Sequence, residues 1–228
     1  MREIVMDTET TGLEANGGDR IVEIGGVELV NHLPTGRTYH QYINPERSMP
    51  AEAFAVHGLG DEFLRDKPVF AQIAEDFLTF VGDARLVIHN ASFDMGFLNA
   101  EFRRLGKPPL PANQAIDTLD IARRKFPGAQ ASLDALCRRF GVDNSNRTLH
   151  GALLDSEILA EVYLELLGGR QQGMALDQTQ RGRGEVTVAA DWTPPPRSRP
   201  LPPRLTEEEA AAHAAFVEEL GDAALWKT

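Results

Sequence analysis

Cysteine is almost absent. The 228-residue chain holds one, Cys137, so it can form no internal disulfide. Cys137 falls with Leu133, Leu136 and Phe140 at helical spacing on one apolar stripe, which predicts a buried structural thiol rather than a nucleophile. Long hydrophobic runs are missing as well. No stretch approaches the ~18 apolar residues of a membrane span, and no signal-peptide pattern precedes the first strand; the expectation is a cytoplasmic protein. Positive charge is scarce: 23 Lys and Arg against 34 Asp and Glu leave a net charge of −11. Such a deficit argues on its face against nucleic acid, which normally meets a basic surface. The excess acids could instead be metal ligands, whose ions would restore the positive field, so net charge alone excludes neither. What remains is ordinary for a globular protein, 42% hydrophobic and 25% charged residues. The length suits one well-buried domain with an appendage, or two small domains.

The periodicity predicts strands over 2–7, 20–30, 85–88 and 115–118, with a weaker one over 35–43. Helical spacing predicts helices over 69–80, 92–105, 118–125, 132–140 and 151–167. Strands first and then strands mixed with helices predict an α/β fold, a mixed sheet flanked by helices. The composition changes after Gly168 and Gly169. Six of the fourteen prolines fall between Pro194 and Pro203, which favours an extended linker over about 170–205. Order is expected to return at Thr206, where Thr206-Glu207-Glu208-Glu209 forms a capping-box pattern. Ala212, Phe216 and Leu220 then mark one face beside Val217; with Leu225 and Trp226, they are too apolar for a purely solvating tail and suit a docking helix. No internal repeats are present.

The most informative stretch is Asp7-Thr8-Glu9-Thr10-Thr11-Gly12, at the end of the apolar run Ile4-Val5-Met6. Residues i and i+2 of a strand share a face, so Asp7 and Glu9 aim at one point. Gly12 then lets the chain turn away. Like charges that close call for a cation, and carboxylate oxygens suit a hard divalent ion. Two further acids lie on inward faces. Asp155 shares the apolar stripe of Ile158, Leu159, Val162 and Leu166, and Asp94 precedes Phe97 and Leu98 on the inward side of its helix. An aspartate there is unfavourable unless paired or metal-bound. His150 stands five residues before Asp155. Imidazole is a poor Mg2+ ligand but titrates near neutrality, so a general base is the better assignment. Asn90 and Phe93 are expected to cap a helix and pack in the core, and His89 stays outside the set.

The pattern Asp7-x-Glu9, Asn90-x-x-x-Asp94 and His150-x-x-x-x-Asp155 resembles the DEDDh 3′–5′ exonuclease family. The stretches DTETTG, AFAVHGL, LVIHNASFD, SLDALCRRF and TLHGALLDSEILAEVYL, in that order, look most like its epsilon (proofreading) subunits of bacterial DNA polymerase III. The resemblance spans about 3–169 and resumes around TEEEAAAHAAF. It implies a ribonuclease H-like fold, two Mg2+ or Mn2+ ions, and release of nucleoside 5′-monophosphates from a DNA 3′ end. By position it makes Asp7, Glu9, Asp94 and Asp155 the metal ligands and His150 the base, while Glu52 and His57 contact the terminal nucleotide and Asp7, Glu9 and Asp155 also bind the substrate. It also implies that Gln171, Met174 and Leu176 anchor a peptide on the beta sliding clamp, and that the tail from 206 to 228 docks on the polymerase alpha subunit, within a nucleoid-associated replisome. The loop between Gly12 and Arg20 is shorter than in the best-known enterobacterial version. Two readings compete. An RNA-trimming DEDDh exonuclease would use the same five residues. A non-catalytic scaffold between polymerase and clamp would have let an acid or the histidine erode, and all five are present.

Overall fold

The computed structural model describes residues 1–147, 149–169 and 205–220. Strands β1 (Arg2–Thr10), β2 (Ile21–Val30), β3 (Leu33–Tyr42), β4 (Arg85–Ile88) and β5 (Ala115–Asp117) form one sheet in the order β3-β2-β1-β4-β5. The first three pair antiparallel, and β4 and β5 add on in parallel. Helices α1 (Ala51–His57), α2 (Asp61–Leu64), α3 (Phe70–Val81), α4 (Ala91–Arg104), α5 (Thr118–Lys125), α6 (Leu133–Phe140) and α7 (Ala152–Leu167) complete the body. This is a ribonuclease H-like mixed sheet flanked by helices.

Alternation along β1 sets the two layers. Ile4 and Met6 join a core with Phe70 and Phe77 of α3 and Phe97 and Phe102 of α4. Val5 points the other way, to Leu159 and Tyr163 of α7. A strand buried on both faces reads as a continuous apolar run, which is why β1 was legible in sequence. A third cluster joins Ala122, Leu136, Cys137, Ile158, Val162 and Leu166 of α5, α6 and α7. Cys137 is fully buried there, as its stripe predicts.

Two features differ from the sequence expectation. The first strand continues past Asp7 to Thr10, because its pairing with β2 runs on as far as Thr10↔Ile21. Helices α1 and α2 were not foreseen; at seven and four residues they are too short to show a periodicity. The chain bends at Thr11–Leu13 as expected, but Gly12 has ordinary φ and is needed there for its missing side chain. A Cβ there would stand 2.3 Å from the Asp19 carboxylate, which accepts the Thr11 hydroxyl proton at 3.0 Å and the Glu14 N–H at 3.0 Å.

The lengths of β1 and β4 open the active cleft. β4 pairs with β1 only at Glu3, Ile4 and Val5, so beyond Val5 that edge of β1 is uncovered by strand. The cleft therefore lies at the carboxyl ends of the parallel strands, where such sheets place their sites.

Helix α8 (Glu207–Glu219) is a separate unit. The expected capping box is formed: Glu209 N–H donates to Thr206 Oγ1 at 3.2 Å, and Thr206 N–H to Glu209 Oε2 at 2.9 Å. Phe216 is exposed. Gln171, Met174, Leu176, the linker prolines, Leu225 and Trp226 lie outside the described residues. Among the described residues, no helix is long and apolar enough to cross a membrane.

Candidate active site

Asp7 and Glu9 project from β1 on the face covered by α7. Gly25 of β2 lies directly opposite Asp7, and a Cβ on it would come within 2.2 Å of the Ala152 backbone. Only glycine lets the first turn of α7 approach the sheet this closely. Ser156 Oγ holds that approach, 3.1 Å from the Gly25 carbonyl and 2.6 Å from the carbonyl of Ala152. The result is that Asp155, next in sequence to Ser156, is delivered to Glu9.

Asp94 arrives from the other layer. It sits in the first turn of α4, where the Thr8 hydroxyl donates to Asp94 Oδ1 at 2.7 Å. Thr8 faces opposite to Asp7 and Glu9, so one β1 strand grips acids from both layers. The start of α4 is fixed by Asp117, which accepts N–H bonds from Asn90 and Ala91 at 3.1 Å each and from Leu119 at 2.9 Å. Asn90 occupies the cap position in left-handed geometry, φ 67°, but its side chain makes no capping bond. The expected capping by Asn90 thus falls to Asp117 instead. Phe93 packs against the core, its ring tilted against that of Phe97 with centroids 4.9 Å apart, and it also borders the cleft.

His150 lies in the loop before α7, with its N–H donating to the Val56 carbonyl at 3.1 Å. That bond joins the loop to α1 and draws Glu52 and His57 to the same cleft, which has a volume of about 980 Å³ and holds all five DEDDh side chains along its wall. Glu52 is exposed. His57 is buried; its Nδ1 accepts the Leu59 N–H at 3.0 Å, and its buried Nε2 has no protein partner. Burial holds the His57 pKa below the ordinary histidine value. His89 is held by the Thr118 hydroxyl at 2.9 Å.

Ligand atoms of Glu9, His150 and Asp155 lie within 4.8 Å of one another. Asp7 and Asp94 stand beside that trio rather than in it. Glu9 Oε1 is buried with no protein partner, an arrangement that is unfavourable for a carboxylate unless a cation completes it. Burial, then Asp155, Glu23 and Asp94, push Glu9 up to about 8. Burial carries Asp94 up to about 7 against the opposing Thr8 bond. Asp7 is held well above the carboxylate range by burial and by Asp94, Glu9 and Asp155, with Arg147 opposing. A cluster of hard oxygen donors that resists its own ionisation fits a divalent cation.

These shifts fix a pH dependence. Carboxyls with raised folded-state pKa values bind protons more tightly when folded, so their contribution to stability is present at low pH and lost as pH rises through the folded values. The metal-free protein should therefore lose melting temperature between about pH 4 and pH 8, the window from the ordinary carboxylate values to those of Asp94 and Glu9. Mg2+ or Mn2+ should restore more at pH 8 than at pH 5. Thermal unfolding in chelator and in metal across that range checks this; a flat chelator curve would contradict it.

Arg147 was not singled out from sequence. Its Nε and Nη2 grip Asp155 at 2.5 and 2.7 Å, Nη1 donates to Asp134 Oδ1 at 2.9 Å, and Nη2 lies 3.0 Å from His150 Nδ1. The only signal was a basic residue three positions before His150, which is indistinguishable from a solvated loop arginine.

Fold and site together define a nuclease of the exonuclease class, and the family model described as Exonuclease matches residues 4–163. The DNA polymerase III subunit epsilon of Rickettsia felis is 56% identical over 179 residues, covering 77% of this chain and 78% of that one. That of Escherichia coli K12 is 47% identical over 239 residues, covering 99% and 97%. Among solved structures, Exonuclease X in complex with 5′ overhanging duplex DNA superposes with a TM-score of 0.56 at 29% identity, covering 73% of this chain and 90% of that one. The chain belongs to the exonuclease family and, within it, to the DNA polymerase III epsilon subunits.

Proposed function

We propose that this protein is a proofreading enzyme that removes misincorporated nucleotides from a primer 3′ end by two-metal-ion hydrolysis, releasing nucleoside 5′-monophosphates. The observation that carries the reading is the convergence of Asp7, Glu9, Asp94, His150 and Asp155 on one cleft. Asp7, Glu9 and Asp155 would hold Mg2+ or Mn2+ ions, with Asp94 serving the second ion directly or through water. When bound, two such ions would supply a nucleophilic hydroxide and would stabilise charge on the leaving oxygen. His150 removes the proton of the attacking water; its side chain is 47% exposed, so the proton can pass on to solvent. Glu52 and His57 contact the terminal nucleotide, and both line the cleft.

Residues 1–169 form the catalytic domain in this reading, 170–205 a linker, and 206–228 a docking tail. The relatives' name, a subunit of DNA polymerase III, supports a tail bound to the polymerase alpha subunit and a cytoplasmic replisome. Gln171, Met174 and Leu176 would seat in a groove of the beta clamp. The linker then raises the local concentration of exonuclease near a primer end.

DNA is preferred over RNA because both relatives are named as subunits of a DNA polymerase and Exonuclease X is bound to DNA. Digestion of sequence-matched single-stranded DNA and RNA tests the choice. Faster release from DNA is expected; faster release from RNA would make the chain an RNA-trimming enzyme.

A further inference from the structure

We propose that Arg147 is a built-in counter-cation: it holds the metal-free site together and must give up Asp155 when divalent ions enter. The inference rests on the two-metal reading above. Four carboxylates, Asp7, Glu9, Asp94 and Asp155, line one cleft. Among the described residues, Arg147 is the lysine or arginine that forms an ion pair with one of them.

The guanidinium uses all three of its nitrogens within the site. Nε and Nη2 fork onto the two oxygens of Asp155 at 2.5 and 2.7 Å, in bidentate geometry, the strongest form of such a pair. The side chains are 10% and 4% exposed, so neither water nor salt screens the contact. Nη2 also points at His150 Nδ1 at 3.0 Å. A guanidinium can only donate, so it occupies the lone pair of that ring nitrogen. One contact therefore ties up a metal ligand and the base at once.

Divalent ions and the guanidinium cannot share Asp155 without bringing like charges together at a buried carboxylate, where water screens them little. The site gives Arg147 somewhere to go. Its Nη1 is anchored on Asp134, which is half-exposed at the cleft margin. Swinging about that anchor releases Asp155 and His150 together, coupling ion entry to the freeing of the base. The guanidinium is thus a stand-in for one ionic charge, which spares the fold an unpaired Asp155 when metal is scarce.

Mn2+ titration calorimetry, paired with thermal unfolding in chelator, tests this on the full chain. Arg147→Ala should melt ~5 °C lower without metal, yet bind Mn2+ about 10-fold more tightly, the scale of one lost charge-assisted contact. Arg147→Lys keeps one positive charge but loses the two-pronged grip on Asp155, so it should shift both readings the same way by less. If Arg147→Ala does not fold without metal, Arg147→Lys decides. Unchanged or weaker Mn2+ binding in the variants that fold would overturn the inference while leaving the two-metal reading intact. Absence of Mn2+ binding by the unaltered protein would remove that reading, and this inference with it.

Discussion

Asp7→Asn is expected to abolish metal-dependent nucleotide release and, in the same molecule, to raise the melting temperature of the metal-free protein. The two effects share a cause. Asp7 is held well above the carboxylate range by burial and by three neighbouring acids, so at neutral pH the fold must keep a proton there that the unfolded chain releases, which destabilises it. A neutral amide of the same shape relieves that destabilisation and removes a donor the ions require. A loss of at least ~10³-fold in turnover is expected, which amounts to about 4 kcal/mol of barrier. The stability gain should be about 1–2 kcal/mol, read as a rise of ~2–8 °C in chelator at pH 8. Stability and activity moving in opposite directions mark a functional cluster. Undiminished hydrolysis by the variant, or a lower melting temperature, would count against the assignment of Asp7.

His150→Ala should behave differently. Turnover is expected to fall by ~10²–10⁴-fold, the scale of a lost general base, while Mn2+ binding survives because the four carboxylates are untouched. Losing the ring also removes one partner of Arg147 and the 3.6 Å contact of His150 Nδ1 with Asp155, but the bidentate Arg147–Asp155 pair stays, so folding should change little. The decisive reading is the pH–rate profile at saturating metal: its acid limb should be altered in the variant. An unaltered profile would make His150 a positioning residue or a metal ligand. The latter would accord with its place within 4.8 Å of Glu9 and Asp155.

The fold was legible wherever burial is two-sided or helical spacing is long. The apolar runs of β1 and β4 and the stripe through Asp155, Ile158 and Val162 announced their elements, since the sheet is covered on both faces. The short helices α1 and α2 carried no such period. Consequently Glu52 and His57 could be placed only by resemblance, and the bond from His150 to Val56 that brings α1 to the cleft could not be foreseen. Asp7 and Glu9 could be paired because strand geometry is local. What stayed hidden was pairwise and non-local: Gly25 making room for Ala152, Thr8 holding Asp94, Asp117 capping α4 in place of Asn90, and Arg147 within the acidic cluster. None leaves a periodic mark, since each depends on which two distant segments meet.

Asp7 and Glu9 side by side signify only a need for positive charge. With Asp94 brought in from α4 and Asp155 from α7, they become one cluster in which Asp7, Glu9 and Asp94 resist ionisation, which a pair of divalent ions would relieve. The central claim is that this cluster hydrolyses DNA from a mispaired 3′ end. The direct measurement is digestion of an end-labelled primer–template, mispaired or matched at its 3′ terminus, in Mg2+ and in chelator, with products resolved as mononucleotides. The account predicts Mg2+-dependent release of nucleoside 5′-monophosphates, faster from the mispaired end because its terminus frays more readily into the cleft. Hydrolysis that persists in chelator, or none in Mg2+ or Mn2+ from a protein that folds normally, would contradict it.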